Sequence, residues 1–420
     1  MTPLDSARQI RAVLQTLRRD LHAWPELAFA ETRTADAVSG RLGAWGIETC
    51  SGLGGTGVVG TIRAGSGGRA IGLRADMDAL PIAETNRFAH RSLHEGRMHG
   101  CGHDGHTAML LGAARLLAER RDFDGTVHLI FQPGEEGAGG GRAMIEDGLF
   151  ARFPMEAVYG MHNWPGLPAG HFAVHSGPVM AGADRFDIHI EGVGGHAAMP
   201  HLAADPVLAG AALVQAAQSI VARSLDPLDA AVVSVTCFHA GETFNALPGR
   251  AELSGTLRSF SAAVREKALD RLRGLCAGTG EAFGVKIVFD PLPGGYPPTI
   301  NTAAEAAHCA EAASAVAGRE NVRIGERPSM GAEDFAYYLL HKPGAYVWIG
   351  NGVAADAGDE GDSALAGCER RGSVALHNAS YDFNDEILPV GAAYWTELVR
   401  RLLPRGGETE FWQNPPERRA

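Results

Sequence analysis

The sequence predicts an α/β protein of two domains: a larger domain whose central, mostly parallel sheet is flanked by helices, and a smaller α+β domain inserted into it. The first observation is length, because 420 residues exceed what one hydrophobic core usually organises. The second is that helical and strand patterns alternate over residues 1–182 and 297–420. The third is that residues 183–296 contain a strand pattern with one polar face, which is typical of a sheet solvated on one side.

The first part of the chain provides the alternating elements of the larger domain. Its apolar runs have the length of strands, and its helical patterns repeat with the spacing of one buried face. The helical patterns cover residues 6–21 and resume after His106, and the apolar runs lie at 70–74, 126–132 and 157–162. Since several runs end in residues capable of chemistry, we expect a site at the strand ends, where open α/β sheets place ligands.

The pattern changes at about residue 183. Residues 185–191 alternate polar and apolar side chains, as a half-solvated strand does. The next elements are a helix at 205–223, strands at 231–238 and 251–258, a helix at 262–283 and a strand at 286–289. This β-α-β-β-α-β order is that of ferredoxin-like domains.

A Pro/Gly-rich stretch at residues 291–298 predicts a linker back to the larger domain. Helical patterns then begin at Thr302 and Glu333, and a strand at 345–349 precedes a terminal helix at 389–403. Residues 353–373 predict an exposed loop and residues 404–420 a polar tail. The expected domains are therefore 1–182 with 297–420, and 183–296.

Composition excludes several classes of partner. A formal net charge of -12 disfavours nucleic acid and anionic membranes, which attract basic surfaces. The N-terminal residues lack the apolar core of a signal peptide, and we expect no later segment to span a bilayer. The six cysteines are scattered, which favours free thiols in a reducing compartment. We expect a cytoplasmic protein.

The densest chemical signal lies at residues 98–106, where Cys101, three histidines and Asp104 stand among glycines. Thiolate and imidazole suit zinc and related metals, and carboxylates extend the choice to manganese. A turn with one or two surface histidines is the alternative interpretation.

Carboxylates follow two predicted strands. Glu135 and Glu136 follow residues 126–132; on an extended chain, one would ligate a metal while the other faces the metal-bound water. Asp76 and Asp78 follow residues 70–74, at a spacing that suits ligation or support of a ligand. A solvated acidic turn and an Asx turn before Pro81 remain the alternatives. Two further histidines at apparent strand ends, His162 and His377, can each be structural instead.

Together these motifs resemble the M20 family of metallopeptidases, in the amidohydrolase branch that includes hippurate hydrolases and plant auxin-conjugate hydrolases. The resemblance extends from residues 18–27 to residues 376–385. It implies two divalent metal ions, zinc or manganese with nickel or cobalt as alternatives. It also implies Glu135 as the general base and Asp78 as a residue that orients a ligand. The implied metal ligands are Cys101, His103, Glu136, His162 and His377.

By the same resemblance, the inserted domain is a lid and dimerisation domain. His196 would stabilise the developing oxyanion in the partner subunit's site, while Asn245 and Arg258 would hold the substrate. Arginine is well matched to the carboxylate of such a substrate. The implied assembly is a homodimer, with a homotetramer as an alternative.

The implied function is hydrolysis of the amide bond of N-acyl amino acids, a small-molecule substrate class, to a carboxylic acid and a free amino acid. A dipeptidase or aminoacylase, a diamino acid deacetylase and a catalytically silent binding protein on the same fold are the alternatives. Residues 353–373 are long for this branch, and Gly134 stands where many relatives have alanine. The longer loop leaves the size of the acyl group open.

Overall fold

The computed structural model describes residues 1–292, 294–352 and 374–405. The predicted loop at 353–373, Pro293 of the predicted linker and residues 406–420 of the predicted tail lie outside the described residues. The chain divides into two compact units. The first unit comprises Met1–Gly177, Asn301–Arg327 and Tyr337–Ala420, and the second comprises Pro178–Ile300 and Pro328–Ala336.

Helices and strands alternate along much of the described chain. The helices are α1 (Pro3–Gln9), α2 (Arg11–Ala23), α3 (Thr32–Ala44), α4 (His103–Arg120), α5 (Gly140–Glu146), α6 (Leu149–Arg152), α7 (Pro206–Ser219), α8 (Ala262–Phe283), α9 (Ala303–Ala317), α10 (Ala336–Leu339) and α11 (Leu388–Leu402). The strands are β1 (Glu48–Leu53), β2 (Gly57–Ala64), β3 (Ala70–Asp76), β4 (Gly125–Gln132), β5 (Ala157–Pro168), β6 (Phe172–Val174), β7 (Gly177–Met180), β8 (Gly182–Glu191), β9 (Gly195–His196), β10 (Ala231–Ala240), β11 (Ala246–Leu247), β12 (Arg250–Ser259), β13 (Lys286–Pro291), β14 (Thr299–Asn301), β15 (Val322–Ile324) and β16 (Gly344–Gly352).

The first unit is built on an eight-stranded sheet in the order β1-β2-β4-β3-β5-β16-β6-β15. Its centre, β4-β3-β5-β16, is parallel. Antiparallel pairs lie toward the edges. Helix α4 packs against β3 and α9 against β16, and α11 packs on α4. The predicted α/β class, with a mostly parallel sheet flanked by helices, is confirmed.

Parallel pairing brings several chain segments to one edge of this sheet. Strands β3 and β4 are in register so that Asp76 lies opposite Gln132, and both strands end there. The segments that leave these strands therefore begin side by side, at the carboxyl ends where α/β folds place ligands.

Two helices differ from the predicted pattern. The helical pattern at residues 6–21 is divided into α1 and α2 at Ile10, whose backbone (φ -100, ψ 8) is not helical. The helix expected after His106 already begins at His103. His103 and His106 therefore lie about one turn apart on the same helix. Their imidazoles have different partners, Asp78 for His103 and Asp76 for His106.

The second unit contains a four-stranded antiparallel sheet in the order β10-β12-β8-β13. Helices α7 and α8 pack together and against this sheet. Along the chain, these four strands and two helices follow the order β8-α7-β10-β12-α8-β13, which is the ferredoxin-like arrangement. In β8 every second residue is buried, because only one face of the sheet is covered.

One segment of the second unit has the length and composition of a membrane span. It covers Pro206–Ser224, in which a stretch of 18 residues has a mean hydropathy of 1.2 and is 28% buried. Length and composition alone are weak evidence for a membrane span, because a helix packed in a protein core meets the same criteria. The buried residues Ala209, Leu213 and Ala217 recur at helical spacing in the core of the unit, as in an amphipathic helix packed on a sheet.

Candidate active site

The five predicted metal ligands converge in the first unit. Cys101 Sγ lies 3.4 Å from His162 Nε2, and His377 Nε2 lies 3.2 Å from Glu136 Oε1. His103 Nε2 lies 4.0 Å from the same oxygen of Glu136. The structure thus brings a thiol, three imidazoles and a carboxylate to one place, although the chain supplies them from four separate segments.

Glycine allows the first of these segments to turn toward the site. Gly102 precedes α4 with a φ of +88°, in the left-handed region. A Cβ at this position would overlap the side-chain amide of Asn163. This close approach lets Asn163 Nδ2 donate to Cys101 O at 2.6 Å, and the residues on either side of Gly102 then face the same point.

His103 is oriented by Asp78. Its Nδ1 lies 2.9 Å from Asp78 O and 3.2 Å from Asp78 Oδ1, so Nδ1–H is the donor, and Nε2 is the nitrogen whose proton a metal ion would replace. Burial lowers the pKa of His103, but the charge of Asp76 and the hydrogen bond to Asp78 outweigh it and raise the pKa to about 10. His103 Nε2 is buried and has no hydrogen-bond partner among the described residues. An unsatisfied buried nitrogen among carboxylates fits a metal ligand.

The carboxylate loop after β4 is held through its backbone. Asp78 Oδ2 accepts from the Glu136 N–H at 2.9 Å. Glu31, which is fully buried, accepts from the Gly134 N–H at 2.8 Å and from Thr56 Oγ1 at 2.5 Å. Two acidic side chains from different segments therefore fix the loop on both sides of Glu135.

Glu135 and Glu136 do not lie on an extended chain. Gly134 and Gly137 both have positive φ, and the loop turns between them. As a result, carboxylate oxygens of Glu135 and Glu136 and a nitrogen of His103 all lie within 4.8 Å of one another. The two carboxylates therefore face the same centre, and Glu135 is buried beside it.

His106 belongs to the same sequence motif but has both ring nitrogens occupied. Its Nδ1 lies 2.6 Å from Asp76 Oδ1, and its Nε2 accepts from the Asn163 N–H at 2.9 Å. Asn163 Oδ1 in turn accepts a hydrogen bond from the Tyr381 hydroxyl at 2.7 Å. His106 therefore connects Asp76 to Asn163 and helps to hold the segments that carry the ligands.

The electrostatics of the centre favour a cation. Burial raises the pKa of the Cys101 thiol well above its usual value, and the charges of Glu136 and Glu135 raise it further. Burial, followed by the charge of His106, holds the pKa of His162 well below its usual value. The donors are thus a protonated thiol, a neutral imidazole and clustered carboxylates, and a divalent ion would supply the missing positive charge.

His377 reaches the centre from an irregular segment. Its backbone has a φ of +64°, which is uncommon for a residue other than glycine, and its side chain is half-exposed. The His377 N–H donates to Gly100 O at 2.8 Å, which connects this segment to the loop of Cys101.

The remaining predicted residues lie in the second unit. His196 is exposed on β9, opposite Ala246 of β11, and the Ala197 N–H donates to Asn245 O at 3.1 Å. Arg258 is half-buried on β12, and burial lowers its pKa. The structure brings His196 and Asn245 into neighbouring positions and places Arg258 in the four-stranded sheet. Their roles stay predictions.

Sequence reasoning missed a buried ionic cluster behind the site. Arg18 Nε lies 3.2 Å from Asp104 Oδ2, and His22 Nδ1 lies 2.8 Å from the same oxygen. All three side chains are fully buried. One signal was available, because Arg18 and His22 lie four residues apart within the buried stripe of α2 that contains Leu14, Leu17 and Leu21. Charged residues in such a stripe require buried partners.

Comparisons with known proteins place these observations in a family. Residues 72–401 match the model of peptidase family M20/M25/M40. The chain is 37% identical over 394 residues to a hippurate hydrolase of Campylobacter jejuni, covering 94% of this chain and 97% of that protein. It is 37% identical over 392 residues to an N-acetylcysteine deacetylase of Bacillus subtilis, covering 93% and 97%. Among solved structures, the Bacillus subtilis YXEP protein, described as a dinuclear metal binding peptidase from the M20 family, is 33% identical with a TM-score of 0.79, covering 94% and 99%.

Proposed function

The chain belongs to peptidase family M20/M25/M40 and is a metal-dependent amide hydrolase, and we propose that it cleaves the amide bond of N-acyl amino acids. The products are a carboxylic acid and a free amino acid. The predicted resemblance and the predicted enzyme class are both confirmed. The names of the hippurate hydrolase and the N-acetylcysteine deacetylase support acylated amino acids as the substrate class.

The observation that carries this proposal is the convergence of buried donors around the unpartnered His103 Nε2. We infer two divalent ions, zinc or manganese in preference to nickel or cobalt. Their ligands would be Cys101, His103, Glu136, His162 and His377. When bound, the ions would polarise the scissile carbonyl and lower the pKa of the attacking water.

Glu135 is the proposed general base. Its carboxylate is buried beside the proposed ligands, and the loop that carries it is fixed at the Gly134 and Glu136 N–H groups. A carboxylate held in this way can take a proton from the attacking water and later deliver it to the leaving amine. Asp78 keeps Nδ1 of His103 protonated, so Nε2 is available for the metal.

The second unit is proposed to complete the site. We assign residues 183–296 as the lid and dimerisation domain, with residues 1–182 and 297–420 as the catalytic domain. Arg258 would bind the carboxylate of the amino acid portion, and Asn245 would contact the substrate. His196 of the partner subunit would stabilise the oxyanion.

A homodimer is the proposed assembly, with a homotetramer as the alternative. Two features of the second unit support it. Strand β10 lies at the edge of the four-stranded sheet, and its last five residues are exposed. Helix α7 exposes apolar residues such as Leu208. Edge strands and apolar helix faces are usual sites of pairing between identical chains. A cytoplasmic location is proposed from the acidic composition and the scattered cysteines.

The experiment that tests this proposal measures amino acid release from a substrate panel. The panel contains N-acetyl, N-benzoyl and indole-acyl amino acids together with dipeptides. Each is incubated with metal-stripped enzyme and with enzyme reloaded with Mn²⁺ or Zn²⁺. We expect metal-dependent cleavage of acylated substrates and not of dipeptides. Cleavage of dipeptides alone would refute the proposed substrate class, and no cleavage by the metal-loaded protein would favour a binding protein.

A further inference from the structure

Arg18 is a fully buried arginine surrounded by carboxylates, of which Asp104 is fully buried and Asp382 is 36% exposed. Besides its contact with Asp104, Arg18 pairs with Asp382 through Nη2 and lies 3.5 Å from Asp385 Oδ1 through Nε. The same Nη2 donates to Phe383 O at 2.8 Å. We call Arg18, Asp104 and Asp382 the Arg18 cluster. The Arg18 side chain is completely buried, so its charge requires carboxylate partners.

The Arg18 cluster connects two of the proposed metal ligands. Asp104 directly follows His103 in the first turn of α4. Asp382 lies five residues after His377, in a segment that forms no helix or strand between residues 374 and 384. Arg18 belongs to neither segment, because it stands on α2. A guanidinium has several N–H donors in one rigid plane, so it can fix two carboxylates at a set separation.

The segment of His377 needs such support. His377 has left-handed backbone geometry and a half-exposed side chain. Its other described connections include the bond from His377 N to Gly100 O, and the bond from Asn86 Nδ2 to Tyr381 O at 2.9 Å. Asp382 connects this segment to Arg18 of α2 and also contacts His90 Nε2 at 3.3 Å.

We propose that Arg18 is a positioning residue for metal binding: through Asp104 and Asp382 it fixes His377 relative to His103. The ion that His377 ligates is then bound tightly only while the Arg18 cluster is intact. This inference rests on the proposed ligand set. It assigns a role to residues that contact neither the substrate nor the reacting atoms. Partners that orient metal ligands typically change metal affinity by about 10- to 100-fold when removed.

The test is a titration of the apoprotein with Co²⁺, followed by visible absorption. The variant is Asp382→Ala, which keeps Arg18 bonded to Asp104 and to Phe383 O and removes the carboxylate contacts of Asp382 with Arg18 and with His90. The matched control is Glu386→Ala, in which an exposed carboxylate of the same region loses its pairing with Arg11. Asp382→Asn retains an acceptor oxygen for Arg18 and serves as the conservative variant.

We expect Asp382→Ala to weaken the binding of one Co²⁺ ion by about 10- to 100-fold. Asp382→Asn should recover part of this affinity, and Glu386→Ala should remain within about twofold of the wild type, as expected for an exposed pair. The decisive comparison is made in a His377→Ala background. There the Asp382→Ala substitution should cause no further loss, because its effect passes through His377.

Three results would overturn the inference. The first is unchanged Co²⁺ affinity in Asp382→Ala. The second is an additional loss of the same size in the His377→Ala background, since this would show a general effect on the fold. The third is wild-type binding by His377→Ala itself, which would show that the proposed ligand set is wrong. The first two results can occur while the wild type still hydrolyses acylated amino acids, so they are distinguishable from failure of the proposed function.

Discussion

His22 makes the pH dependence of stability a sensitive test of the buried ionic cluster. Its ring is fully buried, with Nδ1 2.8 Å from Asp104 and Nε2 3.2 Å from Glu84. Burial by itself lowers the pKa of His22, but the hydrogen bond and charge of Asp104, with Glu84, outweigh it and raise the pKa from its ordinary value of 6.5 to about 9. The folded protein therefore binds the His22 proton more tightly than the unfolded chain does.

The sign of the effect follows from this difference. A raised pKa stabilises the folded state fully below the unfolded value of 6.5, and the contribution is lost as pH rises through about 9. The difference corresponds to roughly 3 kcal/mol at low pH. In a large domain, each kcal/mol of stability corresponds to roughly 2 °C in melting temperature. Loss of the His22 contribution therefore lowers the melting temperature by about 6 °C.

The measurement compares the melting temperatures of the wild type and His22→Gln at about pH 6, 7.5 and 9.5, with the same metal loading. The gap between the two proteins should be largest at the lowest pH and should narrow by about 6 °C at the highest. His201→Gln, at an exposed histidine, is the control and should show a constant gap. A gap for His22→Gln that does not narrow with rising pH would refute the reasoning.

Three further predictions concern metal binding, packing and substrate binding. Because the pKa of Cys101 is raised by burial and by neighbouring carboxylates, loss of the Cys101 proton should contribute a rise in Zn²⁺ affinity of up to about tenfold for each pH unit near neutrality. Competition titrations should show a smaller slope for Cys101→Ser, and an equal slope would exclude the thiolate as a ligand. Gly105→Ala should destabilise the protein by about 1–3 kcal/mol in denaturant titrations, because a Cβ would overlap the buried ring of Phe383. The control Gly274→Ala, with no heavy atom within 4 Å, should stabilise by up to about 1 kcal/mol, and a similar gain for Gly105→Ala would contradict the packing. Arg258→Lys should raise KM for N-acyl amino acids by about tenfold or more with little change in kcat, since lysine cannot bind a carboxylate in bidentate fashion. Steady-state kinetics with the substrate's carboxamide analogue should show no such increase, and an equal increase for both substrates would argue against carboxylate binding.

Local patterns explain why much of the fold was predictable. The helix predicted at residues 262–283 is α8 with the same bounds, since a long amphipathic pattern depends little on distant contacts. The strand predicted at 126–132 is β4, extended by one residue. Two of the predicted ligands come together for a reason visible in the sequence, because Glu136 closely follows β4 and His162 lies within β5 of the same mostly parallel sheet.

The elements that were missed depend on contacts far apart in the chain. Helix α3 contains Gly40 and Gly43, which weaken a helical pattern. Strand β1 is mostly exposed and lacks a buried face of its own. Strands β6 and β15 have three residues each and are defined by pairing between distant segments. Sequence windows of ordinary length contain too little information to find them.

At the site, the hydrogen-bond and ion-pair partners of individual side chains also depend on contacts far apart in the chain. Asp104 and His106 stand in the motif with Cys101 and His103, yet neither belongs to the proposed ligand set. Asp104 pairs with Arg18 and His22 instead, and His106 with Asp76 and Asn163. Spacing identifies residues capable of binding a metal, but the partner of each ring nitrogen is decided by other segments of the fold.

The central claim, that Glu135 is the general base of a metal-dependent amide hydrolase, is tested most directly by Glu135→Gln. Hydrolysis of N-benzoylglycine and the metal content of the purified protein would be measured side by side for the variant and the wild type. We predict a loss of turnover of about 10²- to 10⁴-fold with unchanged metal content, because the amide cannot accept the proton of the attacking water. Turnover close to that of the wild type, with metal still bound, would contradict the assignment.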